Sequence, residues 1–227
     1  MGHKVPPYAL RIGINRNWRS RWLFSKKTAV FLEADYLIRK TIDELFPKAG
    51  IIDVIIERKS LDHCRVDVFS VKPGVIIGKD GQNLKKLYKK IEKVLKPLFQ
   101  RHNLTYPTLE INVVEIKKPN LYAAYLAEQA ALQIEKGGRV RTVLKNIVEK
   151  AKNTKEIQGI KIKASGRLDG ATIHRHETVS WGKIPLSKLI ADIDYASKIA
   201  FTKYGIIGIK VWLYRGDKIG YFDNVTA

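Results

Sequence analysis

Two glycines three residues apart, Gly78 and Gly81, enclose Lys79 and Asp80 between an apolar run and a basic, helix-periodic stretch. The N–H groups at the start of a helix have no partner within the helix, and they attract anions. Glycine lets a phosphate approach the main chain with no side chain in the way, and Lys79 adds a positive charge. The spacing therefore predicts a loop that binds a phosphate backbone, with a purely structural turn as the alternative.

This loop does not have the pattern of a nucleotide-hydrolysing phosphate loop. That pattern needs a glycine five residues before the Gly-Lys pair and a serine or threonine directly after it. Pro73 and Asp80 occupy these two positions. The sequence therefore does not support nucleotide hydrolysis at this loop.

A second basic cluster is predicted on a helix that covers residues 139 to about 152. Its apolar residues recur at helical spacing and define a buried face; they are Val140, Val143, Leu144, Ile147, Val148 and Ala151. Arg141, Lys145 and Lys152 fall on another face at spacings of four and seven residues, and Arg139 stands at the helix start. Such a row can hold the phosphates of one RNA strand. A solvated basic face is the alternative.

Further basic and aromatic residues are candidates for contact with RNA, because phosphates attract cations and unpaired bases stack on flat rings. The candidates are Lys4, Arg11, Arg16, Trp18, Arg19 and Trp22 near the N-terminus, and Lys161, Lys163, Arg167 and Arg175 in the second half. Lys161 and Lys163 alternate with isoleucines, so they share one face of a predicted strand. For the two tryptophans, the alternative is that they only fix the N-terminal arm to its own domain.

The other reactive side chains form no catalytic or metal-binding pattern. Cys64 lies in an alternating stretch, which predicts a strand residue, and a lone cysteine without an intrachain disulfide fits a reducing compartment. His174 and His176 share a strand face but have no third ligand nearby in the sequence, and Asp192 and Asp194 are predicted to pair with arginine or lysine. We therefore expect no enzyme activity, no metal and no cofactor.

The overall charge indicates a polyanionic partner. Lys and Arg number 42 against 22 Asp and Glu, which gives a formal charge of +20 at pH 7. An excess of this size in a chain with a large hydrophobic fraction favours nucleic acid as the partner, with an anionic membrane second. No stretch is long and apolar enough to span a membrane, and the N-terminus lacks the apolar run of a signal peptide.

Hydrophobic periodicity in the first half predicts the elements that hold the glycine loop. A helix is predicted from Thr28 to Phe46, followed by strands in "IIDVIIER" and "CRVDVFSV" with "KSLDH" as their turn. A second helix follows the loop and is predicted to end at Pro97. A third strand, "TLEINVVEI", completes a compact α/β unit.

The second half predicts two helices and four strands. The polar connector Lys117-Lys118-Pro119-Asn120 marks the predicted domain boundary, and Asn120 is a candidate cap for the next helix. Part of the chain is ambiguous between helix and strand, and we assign the residues after Ile190 to a strand. The fold class is therefore α+β, with a basic N-terminal arm (1–24), one α/β domain (25–118) and a second α/β domain (119–227).

The first α/β domain resembles a KH domain in its type II element order. The pattern V-I-I-G-K-x-G-x-x-L follows two strands, opens a helix and precedes a third strand. The resemblance implies that Gly78, Lys79, Asp80 and Gly81 clamp about four nucleotides of single-stranded RNA. Asp80 stands where KH domains more commonly have a basic residue.

The chain as a whole resembles the bacterial-type family of small ribosomal subunit protein number three. Most of the matching residues lie in the second half; they are Gly166-Arg167-Leu168, Arg175, Glu177, Pro185-Leu186, Ala191-Asp192-Ile193-Asp194-Tyr195, Thr202, Tyr204-Gly205 and Gly208-Ile209-Lys210-Val211-Trp212. The N-terminal "MGHKVPPYALRIGI" and the KH segment match the same family in the same order. The resemblance covers essentially the whole chain.

The resemblance implies a structural ribosomal protein of the cytoplasm that binds 16S rRNA in the head of the small subunit. It implies that the protein lines the mRNA entry tunnel beside neighbouring ribosomal proteins and assists mRNA unwinding passively. Arg141 and Lys145 fall on the family's mRNA-contacting positions, whereas Thr142 stands where another basic residue is common and Asp169 replaces a common glycine. The alternative is a free KH-type regulator of individual mRNAs, which would not need the C-terminal half.

Overall fold

The computed structural model describes residues 4–22, 27–47 and 49–218. It confirms the α+β class, since the described residues form helices and two four-stranded sheets. No helix in these ranges is long and apolar enough to cross a membrane.

The chain divides into two compact units, which we call the N-terminal unit and the C-terminal unit. The N-terminal unit is Trp18–Lys117, and the C-terminal unit joins Met1–Asn17 to Lys118–Ala227. The arm predicted at 1–24 is therefore shared: its described residues up to Asn17 belong to the C-terminal unit, and those from Trp18 belong to the N-terminal unit.

The N-terminal unit has one layer of helices on one sheet. Its elements are β1 (Ser20–Arg21), α1 (Thr28–Leu45), β2 (Ile51–Ser60), β3 (His63–Ser70), α2 (Pro73–Ile77), α3 (Gln82–Arg101) and β4 (Thr108–Glu115). The sheet order is β1-β2-β3-β4, in which β2 and β3 are antiparallel and the outer pairs are parallel. Apolar faces of α1 and α3 bury Phe31, Ile38, Ile91 and Phe99, which fixes α3 and the loop before it.

Two local predictions in this unit were wrong, and one strand was missed. Helix α3 continues through Pro97 to Arg101, because the last turn buries Leu98 and Phe99 and this packing outweighs the hydrogen bond that proline cannot donate. The β2–β3 turn is only Leu61-Asp62, since β2 continues to Ser60. Strand β1 was not predicted, because two residues are too short to show any periodicity.

The C-terminal unit places two helices on one face of an antiparallel sheet. Its elements are α4 (Ala123–Glu135), α5 (Val140–Lys152), β5 (Gly159–Gly166), β6 (Arg175–Gly182), β7 (Ala191–Thr202) and β8 (Gly205–Asp217). The sheet order is β6-β5-β8-β7. Alternate residues of the central strands, such as Ile160, Ile162, Ile209 and Val211, are buried against the helices.

The ambiguous stretch after Ile190 is strand β7, as assigned from the sequence. Asn120 is not the cap of the next helix: it lies in a 3₁₀ turn, Pro119–Leu121, and α4 begins at Ala123. The Ala123 N–H donates instead to the Asp194 carboxylate, at 2.8 Å. The helix start is thus held by a side chain distant in the sequence.

Candidate RNA-binding surfaces

The glycine loop connects the short helix α2 to α3 and contains three residues with positive φ. Gly78 has φ +72° and ψ −179°, Asp80 has φ +52°, and Gly81 has φ +69° and ψ 17°. Lys79 and Asp80 are exposed. Gly81 is the N-cap of α3 and offers no side chain to the N–H groups of the first turn, so the loop presents main-chain donors beside a lysine.

The two glycines of the loop have different structural roles. A Cβ on Gly78 would lie 2.7 Å from Cγ of Asn83, whereas a Cβ on Gly81 would meet nothing within 4 Å. Asn83 occupies the space beside Gly78, and its Nδ2 donates to the Val75 carbonyl at 3.0 Å. The expectation that both glycines open the main chain to a phosphate therefore applies only to Gly81, because Gly78 instead makes room for Asn83.

Gly78→Asn is expected to disrupt the loop, while Gly81→Asn should preserve it. The Gly78 conformation belongs to a region that almost only glycine adopts, and strain there is about 1–3 kcal/mol, whereas asparagine tolerates the left-handed conformation of Gly81. Hydrogen exchange of amides in residues 73–87 of the full chain should be roughly 5- to 150-fold faster in Gly78→Asn. Equal exchange in the two variants would contradict this assignment.

Helix α5 presents the predicted basic row on its exposed side. Arg141, Lys145 and Lys152 are exposed, as is Arg139 at the N-cap. At about 100° per residue the three helical cations fall within a stripe of about 40°, and they are separated by about 6 Å and 10 Å along the helix axis. The six apolar residues predicted to be buried are in the core of the C-terminal unit. The row is therefore a rigid, solvent-facing line of positive charge.

Asp169 fixes the start of this row and was not predicted to do so. Its carboxylate accepts a hydrogen bond from the Val140 N–H at 2.9 Å, where the helix dipole favours a negative charge. Asp169 has φ +53°, a conformation that glycine adopts freely and aspartate tolerates. Asp169 therefore caps α5 from a distant part of the chain.

Arg11 is a correction to the predicted set of RNA-contacting residues. It is fully buried, so its guanidinium cannot reach RNA. Its nitrogens donate to four main-chain carbonyls, at distances from 2.7 to 3.0 Å; the acceptors are Pro7, Leu186, Lys188 and Ala191. From the sequence, a basic residue in an N-terminal arm is expected to be a phosphate ligand. In the structure, Arg11 instead binds the arm to the rest of the C-terminal unit.

Arg16 also has a structural role. Its Nη2 lies 3.1 Å from Asp192 and its Nη1 lies 3.1 Å from Asp194. The side chain is 20% exposed, and Arg215 pairs with Asp192 on the other side at 3.0 Å. The predicted pairing of both aspartates with arginine is thereby confirmed. Contact of Arg16 with RNA stays a prediction, because its guanidinium is already engaged by two carboxylates but is not fully buried.

The remaining arm residues lie in different environments. Lys4 is exposed, and Trp18 is 61% exposed. Arg19 is exposed and pairs with Asp53 at 3.0 Å. Trp22 is half-buried, donates from Nε1 to Asp35 at 3.0 Å and packs on Phe31. Trp22 therefore anchors the chain to the N-terminal unit, which is the alternative that the sequence left open.

The candidates on β5 and around β6 belong to the C-terminal unit. Lys161 and Lys163 are half-buried on β5, on the face opposite the helices. Arg167 and Arg175 are exposed. Arg167 also donates to the Ala171 carbonyl at 2.9 Å, so it helps to hold the β5–β6 connection.

Among the described residues, the reactive groups outside these surfaces show neither an activated thiol nor a metal-binding cluster. Cys64 is 1% exposed in β3, and burial raises the pKa of its thiol to about 11, so the thiolate needed for nucleophilic chemistry is not formed near pH 7. Within the ranges that the structure describes, no group of three or more His, Cys, Asp or Glu side chains could hold a metal ion.

Two domain families match the chain. Residues 37–121 match the family described as KH domain, and this range contains the glycine loop. Residues 130–213 match the family described as Ribosomal protein S3, C-terminal domain, and this range contains α5. The second match lies in the half of the chain that a minimal KH regulator would not need.

Several curated proteins are similar over almost the whole chain. The small ribosomal subunit protein uS3 of Persephonella marina is 39% identical over 96% of this chain and 92% of its own length. The protein of the same name from Desulfitobacterium hafniense is 41% identical, with coverage of 96% and 94%. That of Kosmotoga olearia is 39% identical, with coverage of 96% for both chains.

Proposed function

The chain belongs to the family of small ribosomal subunit protein uS3, and we propose that it binds 16S rRNA in the subunit head, lines the mRNA entry tunnel and assists mRNA unwinding. It is an RNA-binding structural constituent of the small ribosomal subunit, not an enzyme. In the proposal it acts in the cytoplasm, within the subunit, next to other proteins of the head and the entry tunnel.

The exposed basic row on α5 is the observation that carries the proposal for mRNA. Arg141, Lys145 and Lys152 form a line of charge about 16 Å long, and packing against the sheet holds this line rigid. A rigid line of cations binds the backbone of a single strand regardless of its sequence, as an mRNA contact must.

Unwinding in this proposal is passive. Movement of mRNA through the ribosome supplies the work, while α5 holds the phosphates of one strand as the duplex opens. Each cation that contacts a phosphate favours the separated strand over re-pairing, so the row acts as an electrostatic wedge. The residues of the glycine loop fit this scheme as a contact with RNA and not with a nucleotide triphosphate.

We propose that rRNA contacts are made by the exposed and half-buried candidates of both units. They are Lys4, Trp18, Arg19, Lys161, Lys163, Arg167 and Arg175, together with Lys79 and the main chain at Gly81. Lysine and arginine would neutralise phosphates, and Trp18 offers a ring on which an unpaired base can stack. Arg11 and Arg16 support these contacts indirectly, because they hold the arm to the C-terminal unit.

The double variant Arg141→Ala/Lys145→Ala tests the proposed role of α5. Ribosomes that carry it should translate unstructured mRNA at the normal rate but pass a stable mRNA hairpin about fivefold more slowly. This factor corresponds to the loss of roughly 1 kcal/mol of exposed electrostatic attraction. The measurement is the single-turnover elongation rate through the hairpin, compared with the same message without it.

The matched control is Lys150→Ala/Lys155→Ala, which removes the same charge from exposed positions of the same unit but outside the row. It should leave both rates unchanged. Sucrose-gradient sedimentation must recover each variant stoichiometrically in the small subunit. A hairpin rate equal to that of unaltered ribosomes would refute the wedge, and recovery of the unaltered chain only in light fractions would refute the ribosomal role.

A further inference from the structure

The face of the C-terminal sheet opposite the helices, which we call the outer face, carries an ordered set of side chains. Strand register places Tyr195, Trp212, Lys161 and Ser180 in one row across β7, β8, β5 and β6. The next row is Ser197, Lys210, Lys163 and Thr178, and the third row begins with Ile199, Gly208 and Ser165. Adjacent rows are about 6.8 Å apart, the distance of two residues along a strand.

The first row carries adjacent aromatic rings at its β7–β8 end. The rings of Tyr195 and Trp212 have centroids 5.4 Å apart, and the Tyr8 ring extends the row with its centroid 6.5 Å from that of Tyr195. The Lys161 Nζ lies 5.8 Å from the Trp212 ring centroid. Aromatic rings fixed on a strand and flanked by a cation provide the kind of platform on which unpaired bases stack.

The second row places two lysines opposite each other, an arrangement that suits an anion between them. Lys163 and Lys210 are directly opposite each other on neighbouring strands, and opposed like charges destabilise a sheet. Neither lysine forms an ion pair within the described residues. The third row has only the small Gly208 and Ser165 at its centre, so the main chain there is open to close approach by a ligand.

We propose that the outer face binds an unpaired RNA segment, with a base stacked on Trp212 and Tyr195 and a phosphate between Lys163 and Lys210. This inference rests on the RNA-binding role proposed above. It extends the rRNA contacts proposed for Lys161 and Lys163 to a defined site, which is distinct from α5 and the glycine loop. A protein is a less suitable occupant, because it would have to insert an acidic side chain between the two lysines. RNA meets this need more easily, since every nucleotide carries a phosphate.

Cross-linking of intact small subunits tests the occupant directly. Ultraviolet irradiation of subunits that contain the unaltered chain, followed by mass spectrometry, should place nucleotide adducts on peptides with Tyr195, Trp212 or Lys163. A carbodiimide that joins lysines to carboxylates should not link Lys163 or Lys210 to another protein. Absence of nucleotide adducts from the outer face, or lysine links to a neighbouring protein, would overturn the proposal.

Base stacking and phosphate contact can be distinguished by measuring the affinity of the full chain for a fluorescent oligouridylate of ten nucleotides at several salt concentrations. Trp212→Leu should weaken binding roughly tenfold at constant salt dependence, because stacking does not release counterions, and Trp212→Tyr should restore most of it. Lys163→Ala/Lys210→Ala should lower the slope of log affinity against log salt by about 0.7, the value for one single-strand phosphate contact.

The matched control is Lys198→Ala/Lys203→Ala, which removes two exposed lysines from β7 and the β7–β8 turn, outside the two rows. Its salt slope should equal that of the unaltered chain. If the outer-face variants behave like this control, the outer face does not bind RNA. The two proposals can be refuted independently. If Arg141→Ala/Lys145→Ala leaves the hairpin rate unchanged while nucleotide adducts are found on the outer face, only the proposed role of α5 is refuted.

Discussion

Replacement of Asp194 by alanine is expected to destabilise the C-terminal unit by about 3–5 kcal/mol. The Asp194 carboxylate is buried and accepts from Ala123 N–H at 2.8 Å, from Tyr195 N–H at 3.1 Å and from Arg16 Nη1 at 3.1 Å. Alanine would leave two main-chain donors without partners and Arg16 with one carboxylate instead of two. The same residue therefore holds the start of α4, the strand β7 and the arm.

The effect of Asp194 depends on pH with a definite sign. Burial alone would raise the pKa of its carboxyl, but the charges of Arg16 and Arg215 and the N–H of Ala123 hold that pKa below its ordinary value. The stabilisation is complete above the ordinary aspartate pKa of about 3.9 and is lost as the pH falls through the lower folded-state value. The difference in free energy of unfolding between the chain and Asp194→Ala should therefore shrink below about pH 4.

Urea unfolding of the full chain, followed by circular dichroism at pH 7 and at pH 3, measures this difference. Hydrogen exchange of the α4 amides at pH 7 assigns the loss to the C-terminal unit. Glu156→Gln is the control, because Glu156 forms an exposed ion pair with Lys118, and such pairs contribute about 0–1 kcal/mol. A loss for Asp194→Ala no larger than that for Glu156→Gln would show that the carboxylate does not organise the unit.

Features with local signals could be predicted from the sequence. The buried and exposed sides of α5 follow from a period of 3.6 residues, so Arg141 and Lys145 could be placed on the solvent side without coordinates. Strand β7 was harder, because its spacing is compatible with both helix and strand, and only the alternation after Ile190 favours a strand. The glycine loop could be located because a strand pair precedes it and a helix follows it.

Features that depend on distant residues could not be predicted. Arg11 lies 175 to 180 residues away in sequence from three of its four carbonyl acceptors, and nothing local distinguishes a buried arginine from an exposed one. The cap of α5 by Asp169 likewise depends on where the β5–β6 connection lies. The aromatic row of the outer face needs the register of β7 against β8, because alternation alone places Tyr195 and Trp212 on a face but not beside each other.

Removal of one partner of the buried Arg58–Asp35 pair is expected to destabilise the N-terminal unit by about 3–5 kcal/mol. The pair joins β2 to α1, and the exposed fractions of the two side chains are 0% and 3%. Asp35 also accepts from Trp22 Nε1, and the Arg58 guanidinium lies 5.2 Å from the centroid of the Phe31 ring. Asp35→Leu alone leaves a buried, uncompensated guanidinium, which is the origin of the large cost.

Replacement of both partners should be far less harmful than replacement of one. Within the described structure, Nε and Nη2 of Arg58 have no hydrogen-bond partner, so the attraction within the pair only partly offsets its desolvation. A buried pair of this kind can be exchanged for apolar residues of similar volume at little cost. Asp35→Leu/Arg58→Met should therefore recover most of the stability that Asp35→Leu loses, even though Trp22 loses its acceptor.

A double-mutant cycle by urea unfolding at pH 7 gives the coupling energy of the pair. The cycle consists of the unaltered chain, Asp35→Leu, Arg58→Met and the double variant. A strongly favourable coupling with a stable double variant would mean that the ions stabilise each other without being needed for the fold. If the double variant instead loses as much free energy of unfolding as the two single variants together, the two residues act independently. Asp35 would then be needed to hold Trp22, and Arg58 would be needed to pack on Phe31.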